Sequence, residues 1–137
     1  MPQPGTMPES RSVVRVRYAE TDKMGVAYYA NYFVWFEVAR ADLLRNLGWS
    51  YREMESAGVS LPVIEAHCEY LRPARYDDEL EVTTHGRLLS PVRMEFLYTV
   101  KRVADGVTSA SGWTRHAALD PSGRPCRLPA RVREVFA

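Results

Sequence analysis

The chain has 137 residues, of which 46% are hydrophobic, which suits one domain with one packed core and excludes a disordered chain. A formal net charge of +1 argues against a general nucleic-acid binder, which is ordinarily basic. Two cysteines exclude a dense disulfide framework, and no apolar run reaches the roughly 18 residues of a membrane span. With no signal-peptide pattern at its start, we expect a cytoplasmic protein without a membrane span.

The first half of the chain predicts a tail, a strand and a long helix. Residues 1–10 are polar and contain proline, so we expect a flexible tail followed by a single domain over residues 11–137. Valines and a tyrosine alternate with arginines in Ser12–Tyr18, which predicts a half-buried strand. Apolar residues recur at helical spacing over Tyr32–Leu47, and Gly48 is a C-terminal signal. This pattern predicts the core helix.

The second half predicts mainly β-structure. Ser50–Glu53 is a capping box for a short helix, and Pro129 opens a terminal one. Because turn signals separate the strands between them, we expect an antiparallel sheet, an α+β fold and an edge that oligomerisation shelters. Four stretches with strand-like patterns carry this prediction: Val59–Pro73, Glu79–Leu89, Ser90–Val103 and Val107–Leu119.

Candidate chemistry lies between the first strand and the long helix. Asp22 supplies a carboxylate, Gly25 allows a tight turn, and the start of a helix offers unpaired amides and a positive dipole end. A carboxylate beside an amide donor is a minimal kit for acyl transfer. The same spacing is also typical of an aspartate that serves only as a turn or cap residue. Spacing alone leaves both interpretations open.

The segment YAETDKMGVAYYANYFVWFEVAR, Tyr18–Arg40, resembles the signature of the hotdog-fold thioesterases of the 4-hydroxybenzoyl-CoA thioesterase type. It is especially similar to the small bacterial acyl-CoA thioesterases associated with the Tol–Pal cluster, and RPARYDDELEV, Arg72–Val82, resembles a second landmark of that family. The resemblance implies a five-stranded antiparallel sheet wrapped around one long central helix. It also implies dimers joined edge to edge, often paired into tetramers, with an acyl-CoA substrate bound between subunits.

The resemblance also implies roles for individual residues. The catalytic aspartate of the family aligns with Asp22, which attacks the thioester or activates a water, and the oxyanion-binding amide aligns with Tyr29. Many relatives carry histidine where this chain has Tyr29, and a tyrosine with a pKa near 10 is a poor general base. Glu20 replaces an aspartate and is expected to be structural. The expected substrate-binding residues are Gly25, Val26, Asn31 and Arg93.

Other polar residues have simpler interpretations. Asn31 is as readily the N-cap of the helix, and Glu37 and Arg40 have the spacing of an ion pair. The histidines lack metal-ligand spacing, so we expect no metal and no cofactor, since coenzyme A is part of the substrate. Three histidines are therefore predicted at the surface or an interface, and three further arginines are candidates for coenzyme A phosphates: His67, His85 and His116, with Arg87, Arg124 and Arg127.

Alternative functions differ in the motifs they require. A hotdog hydratase commonly has the pattern Asp-x4-His, but Ala27 stands five residues after Asp22. A serine hydrolase would need Gly-x-Ser-x-Gly, which is missing. A non-catalytic acyl-thioester binding or scaffold protein and an acyl-carrier-protein thioesterase stay open, as does the identity of the acyl group.

Overall fold

The computed structural model describes residues 7–137. They form one five-stranded sheet and three helices. The elements in chain order are β1 (Glu9–Arg15), α1 (Asn31–Asn46), α2 (Tyr51–Ser56), β2 (Val63–Tyr70), β3 (Glu79–Ser90), β4 (Arg93–Arg102), β5 (Thr108–Ala117) and α3 (Ala130–Phe136).

The sheet has the order β1-β3-β4-β5-β2, and each pair of neighbours is antiparallel. Helix α1 packs against one face of it through residues at helical spacing, including Trp35, Phe36 and Leu43. The Phe36 ring stacks on Tyr98 of β4 with centroids 4.2 Å apart. This arrangement confirms the predicted α+β architecture, a five-stranded antiparallel sheet around one long helix.

The ends of the first two helices follow local signals. Helix α1 stops at Asn46, and Gly48, with φ +78°, donates its amide to the Arg45 carbonyl at 3.0 Å. Such a left-handed residue is a favourable position for glycine after a helix. Ser50 caps α2 by accepting the Glu53 amide at 3.2 Å, which confirms the predicted N-cap. The Glu53 carboxylate accepts the Ser50 hydroxyl at 3.3 Å rather than the Ser50 amide, so the reciprocal bond of the predicted capping box does not form.

The first strand differs from its prediction at both ends. It begins at Glu9, where it pairs with His85 of β3, so the expected tail through residue 10 extends too far. Residues 1–6 of that tail lie outside the described part of the chain. The strand ends at Arg15, and the next residues enter a short 3-10 turn in which Tyr18 is 79% exposed. In the sequence, the alternation of apolar residues with arginines continues to Tyr18, past Arg15, where pairing with β3 stops.

The prediction of a surface or interface position is wrong for one histidine. His116 on β5 is fully buried, with Nδ1 2.9 Å from the Leu61 carbonyl oxygen and Nε2 2.8 Å from Thr114 Oγ1. Burial lowers the pKa of His116 to about 4, so the ring is neutral at pH 7. Both ring nitrogens have partners, which allows a histidine to occupy the core. His67, by contrast, is exposed and stacks on Trp113.

In the described part of the chain, strand β2 forms one end of the sheet and pairs only with β5. Most of its side chains are exposed, and they include three large apolar ones, Val63, Ile64 and Tyr70. An edge strand of this kind presents unpaired backbone groups to a second chain. Within residues 7–137, no helix is long and apolar enough to cross a bilayer.

Candidate active site

The loop before α1 is fixed to the core through Glu20, whose side chain is only 6% exposed. One carboxylate oxygen accepts the Arg17 amide at 2.8 Å, and the other accepts the indole N–H of Trp35 at 3.1 Å. The side-chain amide of Asn31 donates to the Glu20 carbonyl at 2.9 Å. Asn31 is therefore not the predicted N-cap, a position occupied by Ala30; it ties the loop to the helix instead.

Asp22 occupies a tight turn that follows this anchor. The Asp22 amide donates to the Val26 carbonyl at 2.9 Å, and the Gly25 amide donates to the Asp22 carbonyl at 3.0 Å. Gly25 has φ +77°, a conformation that only glycine adopts without strain. Oδ1 of Asp22 accepts the amides of Met24 at 2.8 Å and Val26 at 3.4 Å. Within residues 7–137 its second oxygen has no hydrogen-bond partner, so it is available for chemistry.

The start of α1 leaves an amide free beside this turn. The Tyr28 carbonyl accepts the Asn31 amide at 3.0 Å, so it points along the helix. Because a trans peptide is planar, the N–H of Tyr29 in the same peptide points the opposite way, out of the helix start. That N–H has no hydrogen-bond partner among the residues the structure describes. The positive end of the helix dipole strengthens it as a donor to an anion.

A cavity of about 350 Å³ joins the aspartate to the helix start. Its wall brings together three of the predicted site residues, Asp22, Val26 and Tyr29, while Gly25 shapes the turn without lining the cavity. The other lining residues are Ala27, Tyr32, Tyr70, Leu71, Arg72 and Pro73. The cavity wall therefore brings the carboxylate residue and a residue of the helix start together.

Arg93 lies far from this cavity within one chain. It begins β4 opposite Ala117, whereas the cavity residue Tyr70 pairs with Ala110, which itself pairs with Val100. The seven steps along the strand from Arg93 to Val100 span about 23 Å, since a strand rises about 3.3 Å per residue. Arg93 therefore lies at the opposite end of the strands from Tyr70 and the Asp22 cavity.

The other arginines differ in their availability for an anionic ligand. Arg87 forms an ion pair of 2.6 Å with the buried carboxylate of Glu95, while Arg124 and Arg127 are exposed. The expected pair of Glu37 and Arg40 does not form in the described structure. Arg40 Nε donates instead to the Tyr51 hydroxyl at 3.0 Å.

Sequence reasoning missed two kinds of cavity residue. Tyr32 was assigned to the core, and it is indeed 3% exposed, but its ring also lines the cavity. Tyr70 and Arg72 come from the end of β2 and the segment after it, more than 40 residues beyond the turn. The landmark that begins at Arg72 was the available signal for this segment, although it did not indicate contact with Asp22.

A five-stranded antiparallel sheet around one helix, with a carboxylate turn at the helix start, defines a hotdog domain of the thioesterase class. The chain belongs to the Thioesterase-like superfamily, whose family model matches residues 16–136.

Individual relatives agree with this assignment. "Putative acyl-CoA thioesterase YneP" of Bacillus subtilis is 45% identical over 127 residues, covering 93% of this chain and 89% of that protein. The structure of a DHNA-CoA thioesterase from Staphylococcus aureus superposes with a TM-score of 0.83 at 36% identity, over 88% of this chain and 80% of that one. The crystal structure of a hypothetical protein from Aquifex aeolicus superposes with a TM-score of 0.86 at 33% identity, over 93% of this chain and 99% of that one. These likenesses confirm the predicted hotdog fold and the predicted enzyme class, a thioester hydrolase.

Proposed function

We propose that the protein hydrolyses the thioester of an acyl-CoA to a carboxylic acid and free coenzyme A at the Asp22 cavity. One observation carries the proposal: a single cavity is lined by a carboxylate with a free oxygen and by a residue with an unpartnered helix-start amide. The names of the Bacillus and Staphylococcus relatives, which specify acyl-CoA and DHNA-CoA thioesterases, support this activity.

In the proposed mechanism, the free oxygen of Asp22 attacks the thioester carbon, or it removes a proton from a water that attacks. The carbonyl oxygen becomes an oxyanion, which the Tyr29 N–H stabilises by a charge-assisted hydrogen bond. The carbon–sulfur bond breaks and coenzyme A leaves as a thiolate. If Asp22 attacks directly, water then cleaves the acyl-aspartate anhydride. Water is the second reactant, and the proposed steps use no metal and no cofactor.

The remaining predicted residues have supporting roles in this proposal. Gly25 permits the turn that presents Asp22, and Val26 forms part of the acyl wall. Asn31 keeps the loop attached to the helix, as its bond to Glu20 indicates. The Tyr29 ring, 59% exposed, contributes to the wall while the Tyr29 amide binds the oxyanion.

We infer further that two copies join through β2, and that such dimers pair into tetramers as the resemblance implies. The free edge of β2 and its exposed apolar side chains support the dimer. Antiparallel pairing of β2 with itself brings the Tyr70 end of one strand beside the Val63 end of the other. Arg93 lies at that second end of its own sheet, because Val63 and Met94 both pair with His116. In such a dimer, Arg93 would lie at the end of the sheet nearer to the Asp22 cavity of the partner.

The finer placement of the protein is also a proposal. The signature segments favour the 4-hydroxybenzoyl-CoA thioesterase type and its Tol–Pal-associated branch. A cytoplasmic location is also proposed, because both cysteines, Cys68 and Cys126, are free thiols, as is usual in the reducing cytoplasm. Three tyrosines on the cavity wall, Tyr29, Tyr32 and Tyr70, favour a short or aromatic acyl group over a long chain.

A panel of acyl-CoAs with a free-thiol readout tests the activity. We expect turnover of acetyl-CoA or benzoyl-CoA above that of palmitoyl-CoA. Asp22→Asn in the same assay tests the role of the carboxylate, and a rate within a few-fold of the parent would remove that assignment. Retained coenzyme A binding without any turnover by the parent protein would favour the alternative, a non-catalytic acyl-thioester binder. Turnover of acyl-carrier-protein thioesters alone would instead identify the carrier protein as the donor.

A further inference from the structure

The Tyr29 peptide is held by a side chain that the catalytic proposal does not use. The hydroxyl of Tyr70, on the edge strand β2, donates to the Tyr29 carbonyl oxygen at 2.9 Å. The same oxygen also accepts the Tyr32 amide, at the longer distance of 3.3 Å. Since hydrogen bonds weaken as they lengthen, the tyrosine hydroxyl supplies the better of these two bonds.

This bond controls the conformation of the residue whose amide is proposed to bind the oxyanion. Tyr29 lies between two peptide planes, and the plane before it is held by the bond between the Tyr28 carbonyl and the Asn31 amide. The plane after it is held by Tyr32 and by Tyr70. The Tyr29 N–H itself lies in the first plane, and the held second plane, which contains the Tyr29 carbonyl, limits the backbone rotation at Tyr29 that would turn that N–H. Without the Tyr70 hydroxyl, the second plane depends on one long bond in the first helical turn.

The surroundings of Tyr70 indicate more than a packing role for its hydroxyl. The residue is 46% exposed, and its ring makes edge-to-face contacts with Tyr29 and Tyr32, whose centroids lie 6.3 Å and 5.2 Å away. A phenylalanine would keep those ring contacts. Burial of part of the side chain, together with the neighbouring Cys68, raises the pKa of Tyr70 to about 12, so the hydroxyl keeps its donor proton at working pH.

We propose that Tyr70 is a positioning residue: its hydroxyl holds the Tyr29 carbonyl and so limits the backbone rotation that would turn the Tyr29 N–H away from the thioester oxygen. This inference rests on the proposed function of the Asp22 cavity. It assigns to the edge strand β2 a part in catalysis in addition to its proposed part in dimer formation.

The kinetic test is Tyr70→Phe, with Tyr76→Phe as the matched control. Tyr76 is 57% exposed and does not line the cavity. We expect Tyr70→Phe to lower kcat about tenfold, since small misplacements of a catalytic donor carry penalties of this order, with KM within twofold of the parent. The control should leave both constants unchanged. A Tyr70→Phe kcat within twofold of the parent would overturn the inference.

A spectroscopic test separates positioning from a merely structural role. In an Asp22→Asn background, an acyl-CoA with a ¹³C-labelled thioester carbonyl is bound, and its infrared stretch reports the hydrogen bond to that carbonyl. We expect a shift to lower frequency on binding, and a smaller shift when Tyr70→Phe is added. Equal shifts in the two backgrounds would overturn the inference, even if kcat had fallen. If Asp22→Asn itself turns over substrate at the parent rate, the proposed catalytic role of Asp22 fails, whatever the Tyr70 result.

Discussion

The turns at residues 22–26 and 120–124 have the same pattern, Asp-x-x-Gly-x, and the same hydrogen bonds. In each, the aspartate amide donates to the carbonyl four residues later, at 2.9 Å and 2.8 Å, and the glycine amide donates back to the aspartate carbonyl. In each, Oδ1 accepts two amides, at 2.8 and 3.4 Å in the first turn and 2.9 and 3.0 Å in the second. The glycines have φ +77° and +79°.

The surroundings of the two turns differ. The first turn leads into the 16-residue helix α1 and shares a cavity with its start. The second turn leads into an extended segment, and the next helix, α3, begins only at Ala130 and has 7 residues. The same turn geometry thus holds an aspartate at both positions and does not by itself distinguish the proposed catalytic residue. What distinguishes Asp22 is the unpartnered amide and the cavity beside it.

The largest expected effect separates the two aspartates in catalysis. Asp22→Asn keeps an oxygen that can accept the turn amides but removes the nucleophile or base, so we expect kcat to fall about 100-fold or more. Asp120→Asn makes the same change in the same turn and should leave kcat within twofold of the parent. Steady-state kinetics on one acyl-CoA compares them, and equal losses would mean that the cavity does not distinguish the turns.

A second effect tests the anchor that only the first turn has. Glu20→Gln replaces one acceptor of the buried carboxylate with a donor that faces another N–H, so we expect a loss of roughly 1–3 kcal/mol in the free energy of unfolding. Urea denaturation measures it. Exposed Glu9 is the control, and Glu9→Gln should change stability by less than about 0.5 kcal/mol. A Glu20→Gln midpoint equal to that of Glu9→Gln would contradict the anchoring role.

A third effect compares the two glycines. No atom lies within 4 Å of a Cβ built at Gly25 or at Gly123, so alanine meets no clash at either position. The positive φ alone should cost roughly 1–2 kcal/mol of stability at both. Only Gly25→Ala is expected to lower kcat, several-fold, because only that turn carries the carboxylate that is proposed to react. An equal loss of activity in Gly123→Ala would contradict the claim that only the Gly25 turn affects catalysis.

The smallest effect tests whether the turns are equivalent in stability. Asp22→Ala and Asp120→Ala each remove the acceptor of two amides, and each should destabilise the protein by about 1 kcal/mol. Thermal unfolding of the two variants should therefore agree closely. An Asp22→Ala variant more stable than the parent would mean that the Asp22 carboxylate destabilises the folded protein, and the two turns would then not be equivalent.

The fold could be predicted from the sequence because its signals are local. The spacing of Trp35, Phe36 and Leu43 on one helix, and the alternation along the strands, depend on neighbouring residues only. The strand boundary at Arg15 and the burial of His116 were missed. Each depends on a partner strand or on hydrogen bonds to Leu61 and Thr114, which no local pattern contains.

The candidate site was predictable only in part for the same reason. Asp22, Val26 and Tyr29 lie close together in the chain, and a matched signature marks them. Tyr70 reaches the Tyr29 carbonyl across 41 positions, a contact that follows from the pairing of β2 at the sheet edge. The local sequence around Arg93 does not indicate which end of the sheet this residue occupies.

The most direct measurement is binding and turnover of the same acyl-CoA on one sample of Asp22→Asn. We expect the variant to bind the substrate with a dissociation constant within a few-fold of the parent KM. We expect its release of free coenzyme A to fall about 100-fold or more. Release of coenzyme A at the parent rate from a sample that binds normally would contradict the claim that Asp22 is the reactive group.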